Sequence, residues 1–401
     1  MKKVSIVYCQ PLTQIQGINY VNNSFVMGGK YFKEFGLELT NIYAPDTVFD
    51  CTTHDHLDLI GSNVGTATYN RERKLRVFLR ELLSSDHFLG ASIKMFFNHT
   101  LNAKRTIGHM VRAKDDSDYL IFQDMYSVRQ FYKKFGNKTG KKTILILHCS
   151  NHPLEQTMAV FQGYYKHTRL KKKSLDRCDE TMQMVDKVVY LSSHAKDTSV
   201  LPSDKKNFVF NGIEDLKGVK VVSPYSPLQL VCVGSVTKHK GQMIIVEALS
   251  CLDEETKKKL HFTIVGGGNE FEECRRLVGE KGLQQVVTMT GPRNDVAEIL
   301  KGMDVFLLPS LSEGMPMSIL EAMRQGLYIM ATEVGGIPEM IEGEYGEFIT
   351  RDPQSLSEAI KRVVLEKVVT LKGKRKSRER FEKDFTLRKM IERYSEILLS
   401  L

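Results

Sequence analysis

Two glutamates, Glu313 and Glu321, lie eight residues apart around a predicted helix start, where both can meet a ligand. A buried strand is predicted over 304–308, and Pro316 and Gly326 mark the start and the end of the helix that follows. The first N–H groups of a helix have no partner within it, and with the helix dipole they favour phosphate oxygens. Glu321, inside the helix, can accept two hydrogen bonds from a vicinal diol such as a ribose. The segment therefore predicts a site for a nucleotide sugar.

The order of motifs in the second half of the chain resembles that of a known family. The glutamates belong to the pattern E-G-x-P-x-x-x-x-E-A-M, which is accompanied by V-G-S-V-T-K-H-K-G (233–241), I-V-G-G-G (264–268), G-P-R-N-D-V (291–296), D-V-F-L-L-P-S and V-G-G-I-P-E. In this order the set resembles the retaining family 4 glycosyltransferases, which have the GT-B fold. The resemblance is close from about Asn211 onward and looser before it, where acceptor differences would lie. It implies transfer of a sugar from a nucleoside diphosphate.

The resemblance also implies which residues bind the donor. Lys240 closes the turn after a predicted strand and can reach diphosphate oxygens as a point charge. The family usually has an arginine where this chain has Ser235, which leaves two explanations: an altered grip on the donor, which we favour, or a subunit that no longer catalyses. Arg293 would border the nucleotide base or only solvate a turn. The remaining donor-binding positions are Gly17, Gly234 and Gly266, together with a phosphate cradle formed by Gly314, Met315, Pro316 and Met317.

Two residues are candidates for the chemical step. By the resemblance, Glu313 lies next to the donor sugar and stabilises the oxocarbenium-like centre, while Glu321 holds the ribose hydroxyls. His148 ends a predicted first-half strand, at the carboxyl edge of its sheet, where the family often has a histidine near the donor sugar. From the residues alone, a single histidine is more often structural.

Two other patterns partly match motifs for metal binding and for dinucleotide binding. Asp116-Ser117-Asp118 spells a D-x-D metal motif, but it precedes a first-half strand, so we interpret it as a solvated turn. Gly266 begins a dinucleotide fingerprint whose third glycine is replaced by Phe271, which leaves an NAD site poorly supported. We therefore expect no required metal and no cofactor beyond the nucleoside diphosphate sugar, which is a substrate.

Composition places the chain among soluble globular proteins. Its 401 residues suggest two domains, and 42% are hydrophobic and 26% charged. No apolar run reaches the roughly 18–20 residues that span a bilayer. The seven cysteines form no C-x-x-C pair, which is typical of free thiols in a reducing cytoplasm.

The net charge of +9 is concentrated in the first half. Residues 1–215 hold 30 basic and 22 acidic side chains, whereas the remainder holds 27 and 26. The basic stretches 71–80 and 166–173 suit an anionic membrane surface or an anionic acceptor, although a solvated face explains them equally well. No nucleic-acid-binding motif accompanies the charge. We expect a cytoplasmic protein, with peripheral association at the cytoplasmic membrane face as a further hypothesis.

Apolar runs of strand length alternate with helical stretches, which predicts an α/β fold with parallel sheets. We expect two Rossmann-like domains facing each other across a cleft, the GT-B arrangement. The expected parts are an acceptor-side domain (1–213), a hinge (214–227), a nucleotide-sugar domain (228–385) and a helix crossing back to the first domain (386–401). The predicted strands are Val4–Tyr8, Glu38–Ile42, Tyr119–Phe122, Thr143–Leu147, Lys187–Leu191, Leu228–Val233, Phe262–Val265, Val286–Met289, Asp304–Leu308 and Tyr328–Ala331.

Together these observations favour a retaining glycosyltransferase that uses a nucleoside diphosphate sugar, with UDP as the expected nucleotide. The expected acceptor is a hydroxyl of a glycan or lipid-linked glycan in envelope polysaccharide synthesis, by analogy only. Two alternatives stay open: a nucleotide-sugar epimerase on the same fold, and a non-enzymatic GT-B partner of another glycosyltransferase. The sequence does not specify the donor sugar, the linkage or the oligomeric state.

Overall fold

The computed structural model describes residues 1–12, 17–55, 57, 91–93, 96–137, 139–149, 154, 158, 165–166 and 168–401. The chain divides into two compact units. One comprises Met1–Phe210 and Arg388–Leu401, and the other Asn211–Leu387. The predicted basic stretch 71–80 lies outside the described residues.

The first unit is built on a seven-stranded sheet in the order β3-β2-β1-β4-β5-β6-β7. Its strands are β1 (Lys2–Val7), β2 (Leu37–Tyr43), β3 (Val48–Asp50), β4 (Tyr119–Phe122), β5 (Lys142–Leu147), β6 (Lys187–Tyr190) and β7 (Lys206–Phe208). All neighbours are parallel except β3, which runs antiparallel to β2. The central strands β4 and β5 are almost entirely buried, as expected for parallel strands covered on both faces.

Helices connect these strands. Those that the structure describes with both ends are α1 (Gly17–Met27), α2 (Gly29–Glu34), α3 (Asn102–Arg112), α4 (Met125–Phe135), α5 (Thr168–Met184) and α6 (Ser193–Thr198), with a π-helical segment at Phe96–Leu101 and a 3-10 turn at Ser203–Lys205. Asp124 caps α4 by accepting the Ser127 N–H at 2.7 Å, which places the start of that helix directly after β4.

The second unit contains a wholly parallel six-stranded sheet in the order β10-β9-β8-β11-β12-β13. Its strands are β8 (Leu228–Val233), β9 (Leu260–Val265), β10 (Val287–Gly291), β11 (Val305–Leu308), β12 (Tyr328–Thr332) and β13 (Glu347–Ile349). This is the doubly wound Rossmann order, in which the chain reverses direction across the sheet between β8 and β11. Ligands of such sheets bind at the carboxyl ends of the strands beside that reversal.

The helices of the second unit follow its strands in alternation. They are α7 (Gln242–Ser250), α8 (Glu254–Lys257), α9 (Phe271–Glu280), α10 (Val296–Lys301), α11 (Met317–Arg324), α12 (Ile337–Ile341), α13 (Pro353–Leu365) and α14 (Lys367–Asp384). A buried ion pair of 2.7 Å between Lys374 on α14 and Asp304 ties that helix to the start of β11. Two mostly parallel sheets with alternating helices confirm the predicted α/β class.

The last helix, α15 (Leu387–Leu399), belongs to the first unit apart from its first residue. The Tyr394 ring packs edge-on against Phe25 of α1, with 4.9 Å between the ring centroids. Arg388 Nη1 lies 2.6 Å from Glu34 Oε2 of α2 in an ion pair. The stretch predicted as a hinge is tied to the second unit, where Arg378 forms a bidentate pair with Asp215.

Three strands were missed by sequence analysis: β3, β7 and β13. Each has three residues and lies at an edge of its sheet, so it is too short to show a periodic apolar pattern. Of the helices that the structure describes, none combines the length and apolarity needed to cross a membrane.

Candidate functional site

The loops after β8 and β11 meet at the chain reversal of the second sheet. The first, the lysine turn (235–241), carries Lys240. The second, the glutamate loop (309–316), carries Glu313 and leads into α11. A backbone hydrogen bond of 2.8 Å from the Leu311 N–H to the His239 carbonyl joins them. The His239 ring adds a second link, donating from Nε2 to the Ser312 carbonyl at 2.5 Å.

Lys240 and Glu313 form an ion pair across these loops. The Lys240 ammonium lies 2.5 Å from Glu313 Oε1, and the side chains are 23% and 10% exposed. The Ser310 hydroxyl donates to the same carboxylate oxygen at 2.6 Å, and the buried Thr332 hydroxyl donates to the Ser310 carbonyl at 2.7 Å. A buried carboxylate is thus held by a cation and a hydroxyl, and both charges keep a partly open side.

The phosphate cradle begins α11, whose first helical residue is Met317, directly after Pro316. Gly314 is anchored through its carbonyl, which accepts the Gly336 N–H at 2.8 Å. The Met315 side chain is buried, and its sulfur accepts the Asn211 N–H at 3.0 Å. No side chain caps this helix start. The Ile319 N–H donates to the Pro316 carbonyl at 3.1 Å, which leaves the N–H groups of Met317 and Ser318 for a ligand.

Glu321 lies partly buried within α11. Burial raises the pKa of its carboxyl, and the nearby charge of Arg324 opposes this shift only in part. Within the described part of the chain, no group donates a hydrogen bond to this carboxylate. Its acceptor capacity is available for hydroxyl groups.

Glycines allow the backbones of the loops after β8 and β9 to approach each other closely. A Cβ on Gly266 would lie 2.1 Å from the Gly234 carbonyl oxygen, and a Cβ on Gly268 would lie 2.3 Å from that of Val236. Gly234 and Gly266 both have positive φ, which glycine adopts without strain. Ser235 beside them is exposed. The loop after β8 therefore follows a path that larger residues would block.

Arg293 is engaged within its own turn. Its Nε and Nη2 atoms donate to the two carboxylate oxygens of Asp295 at 2.8 and 2.6 Å, and both side chains are about half exposed. This bidentate pair fixes the plane of the guanidinium after β10, so a ligand would meet an oriented arginine.

Arg351, which sequence analysis did not single out, braces the two loops. Its Nη2 donates to the Lys238 carbonyl at 3.1 Å, while its Nη1 donates to the Pro309 carbonyl and, at 3.5 Å, to that of His239. No local motif marks this arginine, because its partners are more than 40 residues away in sequence.

The carboxyl edge of the first sheet carries His148, which follows β5. Its Nε2 donates to Gln123 Oε1 at 2.5 Å, and burial lowers the pKa of His148 to about 4. The ring is therefore neutral at pH 7, with the proton on Nε2 and a lone pair on Nδ1. Gln123 is 2% exposed and was missed by sequence analysis. Gly17 is the first residue of α1, also in this unit.

The D-x-D motif lies at the opposite, amino edge of the first sheet. Asp116 pairs with Lys3, and Asp118 accepts the Lys3 N–H at 2.7 Å. Across the described ranges, no group of three or more histidine, cysteine or acidic side chains is arranged to hold a metal ion.

The structure thus divides the predicted site residues between the units. It brings Lys240 and Glu313 into contact and places the phosphate cradle next to them. Eleven of the thirteen predicted positions belong to the second unit, whereas His148 and Gly17 belong to the first.

A family model covers this part of the chain. Residues 227–366 match the family described as "Glycosyl transferases group 1". The match runs from the start of β8 to the end of α13, and it includes both loops and the phosphate cradle. It covers less than half of the chain.

Curated relatives match over similar lengths. The chain is 28% identical over 204 residues to the amylovoran biosynthesis glycosyltransferase AmsK of Erwinia amylovora, covering 48% of this chain and 49% of that protein. It is 29% identical over 173 residues to the UDP-Gal:alpha-D-GlcNAc-diphosphoundecaprenol alpha-1,3-galactosyltransferase of Escherichia coli, covering 42% and 44%. The chain therefore spans about half the length of these relatives, or less.

Solved structures match over the whole chain. Anabaena Alr3699/HepE in complex with UDP superposes with a TM-score of 0.66 at 14% identity, covering 100% of both chains. Sucrose-phosphate synthase from Thermosynechococcus elongatus gives a TM-score of 0.68 at 15% identity, covering 100% of this chain and 99% of that one. At these identities the likeness concerns the fold alone, which is the GT-B fold that the motif order predicted.

Proposed function

We propose that this protein is a retaining glycosyltransferase that moves a sugar from a nucleoside diphosphate donor to a hydroxyl of a glycan or lipid-linked glycan. The observation that carries the proposal is the Lys240–Glu313 pair, which lies beside the phosphate cradle at the chain reversal of a Rossmann sheet. A cation, unpaired helix N–H groups and a carboxylate meet there. Together they can bind a diphosphate and stabilise positive charge on the sugar attached to it.

The donor would be held in three places. The helix start and its dipole favour the diphosphate oxygens, and the Lys240 ammonium adds a full charge. Glu321, with no donor from the described residues, accepts hydrogen bonds from the ribose hydroxyls. UDP is the proposed nucleotide, which is supported by relatives and fold neighbours whose names include UDP-linked donors or UDP.

In the chemical step the bond between the anomeric carbon and the diphosphate oxygen breaks, and the acceptor oxygen attacks from the same face. The acceptor proton passes to the departing phosphate oxygen. Lys240 stabilises the negative charge on that leaving group. Glu313, held by Ser310, stabilises the positive charge that develops on the sugar ring.

His148 is proposed to hydrogen-bond a sugar hydroxyl. Because its Nε2–H donates to Gln123, the lone pair on Nδ1 can accept a hydrogen bond from the hydroxyl, and the neutral ring does not require a counter-ion. Gly17 is proposed to bring backbone N–H groups to the donor, as the resemblance implies.

Ser235 leaves the donor without the guanidinium that the family usually places there. We propose altered binding of the diphosphate, with catalysis retained, because Lys240 and both glutamates are present and Lys240 lies in contact with Glu313. Arg293 is proposed to border the base from its fixed position after β10.

The acceptor class is proposed from the relatives. Their names include amylovoran biosynthesis and a diphosphoundecaprenol-linked substrate. A lipid-linked acceptor in envelope polysaccharide synthesis would place the enzyme at the cytoplasmic face of a membrane, bound peripherally.

The test is a screen of UDP-, GDP- and ADP-linked sugars that follows nucleotide release with and without a membrane extract. We expect release that requires both a UDP-sugar and the extract, and that is abolished in Glu313→Gln. Proton NMR of the product should show the anomeric configuration of the donor. Conversion of the donor into an epimeric nucleotide sugar without any acceptor and without net nucleotide release would identify an epimerase. Neither nucleotide release nor conversion of any donor would identify a non-catalytic subunit.

A further inference from the structure

Arg351 reaches from the second sheet's edge to both loops of the donor site. It follows β13, two residues beyond Ile349, and its guanidinium is partly exposed. Three carbonyl groups converge on it: those of Lys238 and His239 in the lysine turn, and that of Pro309 in the glutamate loop. One side chain therefore holds both loops.

The chemistry of this contact requires an arginine. Backbone carbonyls only accept hydrogen bonds, and three of them facing each other repel unless a donor lies between them. A guanidinium offers five N–H donors in a rigid plane, so it can satisfy carbonyls of separate segments at once. A lysine ammonium is a point charge and cannot reproduce this fork.

Gly241 is the second part of the same contact. It adopts φ +76°, and a Cβ there would lie 2.5 Å from the Pro309 oxygen and 2.8 Å from Arg351 Nη1. The close approach of the loops therefore depends on the absence of a side chain at this position. Gly241 directly follows Lys240, so the position of its backbone also determines the point from which the Lys240 side chain extends.

We propose that Arg351 is a positioning residue for the diphosphate of the donor, acting through the backbone of the lysine turn without touching the ligand. By holding the carbonyls of Lys238 and His239 against Pro309, it keeps Lys240 opposite Glu313, 2.5 Å away. Gly241 allows the approach that this requires. The inference rests on the proposed function only for the identity of the ligand.

The experiment measures the affinities of UDP and of uridine by calorimetry, and uses their ratio as the contribution of the diphosphate. In Arg351→Met we expect the ratio to fall about tenfold, equivalent to about 1.4 kcal/mol, with uridine affinity unchanged. Arg351→Lys should recover only part of the loss, because it restores the charge but not the fork. Gly241→Ala, which keeps the arginine but separates the loops, should lower the ratio as well.

Arg362→Met is the matched control. Arg362 pairs with Glu347 on the same unit and has no contact with either loop among the described residues. The ratio of UDP affinity to uridine affinity in this variant should therefore equal that of the wild type. Circular dichroism at the assay temperature verifies that each variant is folded. A merely structural arginine would lower the melting temperature and leave the ratio unchanged.

The outcomes separate the two hypotheses. A folded Arg351→Met with the wild-type ratio overturns the role of Arg351 while the proposed function stands. If that variant does not fold, the same result in Arg351→Lys and Gly241→Ala overturns it. A wild-type protein that binds none of UDP, GDP and ADP overturns the proposed function, and this inference with it.

Discussion

The carboxyl edges of the two sheets share a topology but differ in the charge of the groups that follow their central strands. In the second unit the loops after β8 and β11 carry formal charges, with Lys240 paired to Glu313 and Arg351 bound to the backbone of both loops. In the first unit the residues after β4 and β5 include a neutral pair, with His148 bound to Gln123. Both sheets reverse direction at the equivalent point, between β8 and β11 and between β1 and β4. The strand order therefore does not decide what each edge can bind.

Buried groups beside the ends of β1 and β4 show the same tendency. Burial lowers the pKa of His99 to about 4, and its ring stacks on Tyr126 at 4.4 Å. Burial also raises the pKa of the Asp124 carboxyl, although hydrogen bonds from Ser127 and Cys9 oppose this shift. An edge that disfavours charge suits uncharged hydroxyl groups, whereas the second edge suits an anion. The following predictions test that division.

The largest expected effect is on transfer by Glu313→Gln. We expect turnover to fall about a thousandfold, because charge stabilisation at the reacting centre is lost, while UDP affinity stays within about threefold. Glu321→Ala is the comparison: it should weaken UDP binding, since its carboxylate is proposed to hold the ribose. Calorimetry with UDP on both variants decides between the roles. Equal loss of UDP affinity in the two variants would show that the assignment is wrong.

Lys240→Ala should weaken UDP binding by about a hundredfold and leave uridine binding unchanged. The substitution removes the cation and leaves Glu313 as an uncompensated negative charge facing the phosphates. Lys301→Ala, at an exposed position on α10, is the charge-matched control and should bind both ligands as the wild type does. If Lys240→Ala binds UDP normally, the diphosphate site lies elsewhere.

Acid should destabilise the first edge through His148. Its pKa of about 4 in the folded protein lies below the ordinary value of 6.5, so the unfolded chain binds a proton first. The contribution to stability is complete above pH 6.5 and is lost as the pH falls towards 4. Between pH 7 and pH 4, the free energy of unfolding of His148→Gln should fall by about 2 kcal/mol less than that of the wild type.

Thermal denaturation across this pH range measures the effect. His194→Gln is the control, because His194 is exposed on α6 and its loss should leave the wild-type pH dependence unchanged. Identical pH profiles for wild type and His148→Gln would contradict a buried neutral histidine.

Glu321 should respond to acid in the opposite direction. Its carboxyl pKa is raised in the folded protein, so ionisation costs stability at neutral pH, and the cost disappears below the ordinary value of 4.5. Glu321→Gln should therefore stabilise the protein at pH 7 and not at pH 4. The same variant should bind UDP more weakly. A destabilised Glu321→Gln at pH 7 would mean that the carboxylate has a partner in the folded state.

The smallest expected effect concerns membranes and follows the charge difference between the halves. We expect the protein to sediment with anionic vesicles at low salt and to be released near 1 M salt, where the Debye length is about 3 Å. Each basic residue near the lipid contributes about 1 kcal/mol. Replacing Arg73, Arg76 and Arg80 by glutamate should abolish binding.

Replacing Lys258, Arg276 and Lys301 of the second unit by glutamate is the charge-matched control and should preserve membrane binding. Neutral vesicles should bind neither the wild type nor the control variant. Absence of wild-type binding to anionic vesicles at low salt would refute the membrane hypothesis, and equal loss in both triple variants would refute its assignment to the first half.

Much of the second unit was predictable because its signals are local. The start of α11 next to Pro316, the positive-φ glycines and the apolar runs of β8 and β11 each depend on a few consecutive residues. Such patterns report backbone conformation directly. Lys240 and Glu313 could be named individually because the motifs that carry the family resemblance contain them, and those motifs are also local.

Only the tertiary structure decided which of these residues meet. Lys240 and Glu313 are 73 residues apart, and Arg351 is 113 residues from the Lys238 carbonyl it binds. The Gln123–His148 contact and the neutral state of that histidine likewise arise from burial between separate strands. The sequence determined the chemical groups and the loops that carry them. Their pairing and protonation depend on distance and solvent exclusion, which exist only once the sheets have assembled.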